Sequence, residues 1–237
     1  MSALELDQVC KSYGEGASEV HALVDVDLTI EPGSLVAVMG PSGSGKSTLL
    51  TIAGTLEEAT SGRVVVAGTD VSSMSRDDRA RFRRRTLGFV FQDFNLLAGL
   101  TVVENVSLPL ELDGMAVRAA RKLAREALER LEIADKADRF PEDVSGGERQ
   151  RAAIARAIVG ERHLLLADEP TGALDSVNGE AVMRLMRAAC KEQGVAGVVV
   201  THDAQLASWA DRVVFLRDGK MVDQTAPASG PESLLTR

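Results

Sequence analysis

Nine consecutive residues carry the most specific chemistry in this sequence. Gly40-Pro41-Ser42-Gly43-Ser44-Gly45-Lys46-Ser47-Thr48 fits the pattern G-x-x-x-x-G-K-[ST]. Gly43 and Gly45 permit backbone angles that a side chain would block. The N–H groups of such a loop turn inward and form an anion nest, and the helix that follows adds the positive end of its dipole. Lys46 can then reach the β- and γ-phosphates of a nucleotide as a point charge, and the Ser47 hydroxyl can ligate Mg²⁺. Kinases, GTPases, helicases and transport ATPases share this cradle, so the rest of the chain must choose among them.

A second group of residues supplies acids. Leu164-Leu165-Leu166-Ala167 is an apolar run that ends in Asp168-Glu169. Carboxylates at strand ends lie on the edge where α/β sheets bind ligands. Asp168 is placed to hold Mg²⁺, directly or through water, and Glu169 to polarise an attacking water. A third group is Val144-Ser145-Gly146-Gly147-Glu148-Arg149-Gln150-Arg151. Ser145 with Glu148 three residues on makes a helix-opening capping box.

That octapeptide resembles the signature motif of ATP-binding cassette (ABC) proteins, and the resemblance extends over essentially the whole chain with the motifs in family order. It implies a second anion site made by Ser145, Gly146, Gly147 and Glu148. It also implies that Tyr13 stacks on adenine, and that Gln92 touches Mg²⁺ and the attacking water while facing a membrane partner. Ala173-Leu174-Asp175 matches the loop that crosses a cassette dimer, and His202 the histidine that contacts the γ-phosphate. The departures are small. Val144 stands where leucine is usual, Glu148 where glutamine is commoner, and Ala59 where the family often has proline. In this family ATP-Mg²⁺ lies between two head-to-tail cassettes, so the expected assembly is a homodimer or a pair with a paralogue. Asp93–Val106, Leu108-Pro109-Leu110 and Leu166–Asp175 resemble the subfamily of lipoprotein-releasing, macrolide-export, antibiotic-peptide-resistance and cell-division cassettes. Its members often work with permeases that bear large extracytoplasmic domains, many by mechanical transmission; the resemblance implies a separate permease subunit here, with the chain on the cytoplasmic face of the membrane. The alternative is a soluble cassette ATPase of DNA repair or translation. Those carry zinc modules, long coiled coils or tandem cassettes, none of which stands in this sequence.

These groups need a scaffold that brings strand ends to one edge. Alternation of Val24, Val26, Leu28 and Ile30 with Asp25, Asp27 and Thr29 predicts a strand with one wet face. Leu35–Met39, His163–Ala167 and Val198–Thr201 are continuous apolar runs, predicting strands covered on both faces. Helices are predicted at 46–53, at 75–85 with Ser75 as cap, and at 178–193 ended by Gly194. Residues 93–158 read as helical throughout. The expected fold is therefore α/β: a P-loop NTPase core with a mainly parallel sheet, an N-terminal antiparallel β portion and an inserted α-helical subdomain. One domain spans 1–237, with core segments 1–92 and 159–224, the helical subdomain at 93–158 and a loose tail at 225–237.

Composition narrows the function. A net charge of −8 disfavours a nucleic-acid binder, whose affinity depends on a basic face. One cationic run, Arg79–Arg85, reads as a solvated helix face or as a contact for acidic lipid or an acidic partner loop. Cys10 and Cys190 stand apart from any metal-ligating pattern. The chain contains no 18-residue apolar stretch and no leader pattern, so it is expected to stay in the cytoplasm.

Overall fold

The computed structural model describes residues 1–225; of the expected loose tail at 225–237, Thr225 closes a strand and 226–237 lie outside the described residues. In chain order the elements are β1 (Leu4–Tyr13), β2 (Val20–Ile30), β3 (Leu35–Met39), α1 (Lys46–Ala53), β4 (Ser61–Val66), β5 (Thr69–Asp70), α2 (Arg76–Thr86) and β6 (Leu87–Phe91). There follow α3 (Val102–Leu112), α4 (Val117–Arg130), α5 (Gly146–Ile158), β7 (Leu164–Asp168), α6 (Ser176–Gln193), β8 (Ala196–Val200), α7 (Ala204–Ala207), β9 (Arg212–Arg217) and β10 (Lys220–Thr225).

Two sheets form. One is antiparallel, in the order β2-β1-β4-β5; the other runs β10-β9-β3-β8-β7-β6 and is parallel except for β10. The central strands are buried on both sides. Leu35 and Ala37 of β3 point into a core shared with α3–α6, while Val36 and Val38 point into one shared with α1 and the antiparallel sheet. The same division splits β7, with Leu165 and Ala167 on the first side and Leu164 and Leu166 on the other. Helices α3–α5 form the inserted helical subdomain, and α5 docks closely on β6. A Cβ on Gly88 would lie 1.9 Å from the Ala157 carbonyl oxygen.

Parallel register lines up the strand ends. Phe91 of β6 pairs with Asp168 of β7, Asp168 with Val200 of β8, and Val200 with Val38 of β3. One edge of the sheet therefore carries Gln92, Glu169, His202 and the loop that begins at Gly40.

The structure departs from the sequence reading in two places and adds detail in a third. The β2 alternation breaks at Val24, which is half-buried while Leu23 is buried. Asp25 takes a φ of +47°, and the Val24 N–H donates to the Gly219 carbonyl at 2.8 Å, so a bulge shifts the inward residue by one. Residues 93–101 are not helical. Phe94 and Asn95 both adopt left-handed backbone, at φ +61° and +49°, and α3 starts only at the capping box of Thr101 and Glu104. The arginine run keeps a wet face at Arg81 and Arg85, both exposed, but its members are engaged locally. Arg79 bonds Glu58 and the Met74 carbonyl, Arg81 pairs with Asp78, Arg83 bonds the Thr55 carbonyl, and Arg84 and Arg85 share Asp113 at the end of α3.

Candidate functional site

The loop between β3 and α1 is shaped by glycines at close quarters. Gly40, Gly43 and Gly45 have φ of +150°, +76° and +102°. A Cβ on Gly40 would meet the Leu216 carbonyl oxygen at 2.0 Å, and one on Gly45 the Ala22 carbonyl oxygen at 2.2 Å. The loop is thus pressed against β9 and β2, so its N–H groups are held by backbone packing. Lys46 Nζ donates to the carbonyls of Gly40 and Pro41 at 2.9 and 2.7 Å, arching over the loop it belongs to. An ammonium has three donors, so one remains for a ligand.

Asp168 and Glu169 follow from β7. Burial pushes the Asp168 pKa up, and the nearby Ser47 hydroxyl pulls it partly back. Ser47 and Asp168 are two neighbouring hard oxygen donors, the type a small divalent cation prefers. Among the described residues no group of three or more His, Cys, Asp or Glu could hold a metal by itself. This pair fits a cation that also takes ligands from phosphate.

Glu169 sits at φ +47°, with its N–H donating to the Val200 carbonyl at 3.0 Å. That turn aims its carboxylate at His202, whose Nδ1 lies 2.9 Å from Oε1. The hydrogen bond to Glu169 raises the His202 pKa above its ordinary value. Both line a cleft of about 220 Å³ that also contains Gly172, Asp175 and Thr201. Gln92 packs on this loop: a Cβ on Gly172 would lie 3.0 Å from Gln92 Cδ.

The third group opens α5. Ser145 caps it, with Glu148 N–H donating to Ser145 Oγ at 3.3 Å and Ser145 N–H to Glu148 Oε2 at 2.7 Å. Glutamate in place of glutamine is therefore used: its carboxylate closes the box and lies 3.5 Å from Lys136. Beside it, Asp175 caps α6 by accepting from the Asn178 N–H at 2.9 Å and Asn178 Nδ2 at 2.7 Å. Asn178 also lies against Gly147, where a Cβ would meet its Oδ1 at 2.9 Å. Ser145–Gly147 and Asp175 thus form one surface. Among the described residues, the capping bonds of the α5 N-terminus stay within the motif and do not reach the Gly40–Thr48 loop.

Tyr13 ends β1 and is 39% exposed. Its hydroxyl donates to Glu57 at 2.5 Å. The sequence reading assigns no role to several supporting residues. Arg156 of α5 donates to the carbonyls of Phe94 and Asn95, just beyond Gln92. Arg149 lies over the Phe94 ring at 5.3 Å, and buried Gln150 makes a long 3.5 Å contact with the Phe91 carbonyl. These contacts join positions about 60 residues apart in sequence, and no local pattern marks them.

Comparison with known proteins places this arrangement. The family model described as ABC transporter matches residues 23–172. An uncharacterised ABC transporter ATP-binding protein of Methanocaldococcus jannaschii is 44% identical over 220 residues, covering 93% of this chain and 98% of that one. The macrolide export ATP-binding/permease protein MacB of Aggregatibacter actinomycetemcomitans is 42% identical over 225 residues. This chain spans only 35% of that relative's length. Among solved structures, a cassette seen as a dimer in a post-hydrolysis state with ADP and Pi matches with a TM-score of 0.85 at 40% identity, covering 95% of this chain and 99% of that one. A cbiO1 protein of Clostridium perfringens matches with a TM-score of 0.86 at 28% identity, covering 99% and 91%.

The chain belongs to the ABC transporter family. Within it, the chain is an ATP-binding, ATP-hydrolysing cassette, similar to those of macrolide exporters.

Proposed function

We propose that two copies of this chain, or this chain and a paralogue, close head to tail around ATP-Mg²⁺ and drive a separate membrane permease from its cytoplasmic face. One observation carries the reading. The chain holds two phosphate-type cradles, the Gly40–Thr48 loop and the Ser145 end of α5, and the second is turned toward the Asp175 loop. Two copies related by a two-fold axis would place each cradle against the other's complement. The solved dimer of a similar cassette supports this.

In this reading Pro41, Ser42 and Ser44 shape the loop, whose N–H groups bind the phosphates with Lys46. Ser47, Asp168 and Gln92 would hold Mg²⁺, which when bound neutralises phosphate charge. Glu169 accepts a proton from the attacking water, and His202 orients Glu169 and meets the γ-phosphate. Thr48 and Tyr13 face the nucleotide from the α1 side. Ser145, Gly146, Gly147 and Glu148 receive the γ-phosphate of the ATP bound by the other cassette, with Asp175 at the seam.

The permease contact is best supported at an apolar groove of about 510 Å³ between core and helical subdomain. Leu56, Phe89, Phe91 and Leu112 line it beside Arg83 and Asn95, so an occupant would touch the loop that begins at Gln92. Among the described residues no helix is long and apolar enough to cross a membrane, which suits a peripheral subunit.

Mixing two defective chains tests the head-to-tail arrangement. Lys46→Ala should disable one cradle and Ser145→Arg the other, leaving each chain inactive alone. A mixture rebuilds one intact site per heterodimer and should regain turnover. A mixture as inactive as its components would rule the arrangement out.

A further inference from the structure

Tyr13 is the only tyrosine in the chain, and it is held at its hydroxyl and over one face. Its hydroxyl donates to Glu57 Oε2 at 2.5 Å, with the Thr48 side chain of α1 nearby. Glu57 also accepts from Thr51 Oγ1, one turn along the same helix, at 3.1 Å. Lys11 Nζ stands over one face of the ring, 4.9 Å from its centroid. That ammonium is itself fixed, donating to the Glu58 carbonyl at 2.9 Å and lying 3.9 Å from Glu57 Oε1. The Lys11 side chain is only 16% exposed. Swinging the ring away would break the charge-assisted bond to Glu57, and turning it about its own axis would lose the Lys11 contact over its face.

We infer that Glu57 and Lys11 are positioning residues for the nucleobase: they lock Tyr13 into a stacking platform at a fixed distance from the phosphate cradle. This rests on the reading of Tyr13 as the adenine contact. One face of the ring is covered by a cation, so a base stacks on the other. Thr48 and Thr51 belong to the helix that opens at Lys46, so base platform and phosphate loop form one rigid piece. Ordering the ring before binding spares the nucleotide that entropy, and such preorganisation appears as affinity. Glu57 and Lys11 themselves need not touch the ligand.

The test compares Glu57→Gln, Lys11→Met and Tyr13→Ala with the unaltered chain. Affinities for ATP and for tripolyphosphate, which has no base to stack, are measured by calorimetry. Ionisation of the single tyrosine is followed by absorbance. Burial first, and the Glu57 hydrogen bond second, hold the phenol above its ordinary pKa; removing the carboxylate charge should bring it down. The inference predicts that each positioning variant weakens ATP about three- to tenfold, leaves tripolyphosphate unchanged, and in Glu57→Gln lowers the tyrosine titration. If ATP affinity holds in the positioning variants while Tyr13→Ala loses it, the clamp is refuted and the stacking reading stands. If Tyr13→Ala also keeps full affinity, the stacking reading fails with it. Equal losses for ATP and tripolyphosphate would mean that Glu57 supports the cradle, overturning the inference.

Discussion

Glu169 combines a strained backbone with a paired side chain. Its φ of +47° is a conformation that residues with a Cβ rarely adopt. The N–H bond to Val200 holds the turn, and the turn presents the carboxylate to His202. His202 is raised above its ordinary pKa by that contact. The sign follows: the imidazolium–carboxylate attraction is fully present below the ordinary histidine pKa and is lost as pH rises through the raised value. Glu169→Gln should lower the His202 titration toward the ordinary value, as followed by proton NMR of the three histidines in the chain. An unshifted His202 titration would mean that the contact does not form in solution. The placement of Lys46, Ser47, Asp168 and Glu169 was legible because each ends or opens a recognisable element. The strain at Glu169 was not, since nothing in Ala-Asp-Glu-Pro marks a left-handed residue.

At the level of elements, α5 links the sites. Its N-terminus presents Ser145, its middle holds the Phe94–Asn95 turn through Arg149 and Arg156, and its last turn rests on β6 at Gly88. A movement of α5 must therefore carry the loop beyond Gln92 with it. Gly88→Ala would force apart the helix and strand, because the new methyl falls 1.9 Å from the Ala157 oxygen. The expected cost is about 3 kcal/mol, read as a lower denaturant midpoint; an unchanged midpoint would show that α5 is not packed this closely. The helix itself was readable, since Ser145 and Glu148 spell a capping box three residues apart. The same spacing at Thr101 and Glu104 could have placed the start of α3 and removed the helical reading of 93–101. The clamps by Arg149, Arg156 and Gln150 could not be foreseen, because they are set by tertiary packing.

Two cores lie on opposite sides of the parallel sheet, and the helical subdomain and the central strands that both cores share respond differently to acid. The helical subdomain depends on carboxylate caps. Glu104 and Glu148 are held below the ordinary glutamate range, chiefly by the backbone N–H groups of Thr101 and Ser145. A lowered folded pKa contributes stability above the ordinary value of about 4.3 that is lost as pH falls through the folded one. The central strands have no such caps. Hydrogen exchange in mild acid should therefore lose protection at the starts of α3 and α5 before β3 and β8. Simultaneous loss everywhere would contradict this. The α/β class and both-faced burial were readable from the apolar runs. The pairing of Arg79, Arg84 and Arg85 was not, because Glu58 and Asp113 are remote from them in sequence.

The most direct test of the two-cassette account is the solution mass of the Glu169→Gln chain with and without ATP and Mg²⁺. Gln keeps the shape of the site while removing the carboxylate proposed to activate water, so bound ATP should persist. The account predicts a 25.2 kDa species without nucleotide and a doubled mass with it. A chain that binds ATP, shown by calorimetry on the same sample, yet stays at the single mass up to saturating nucleotide would contradict it.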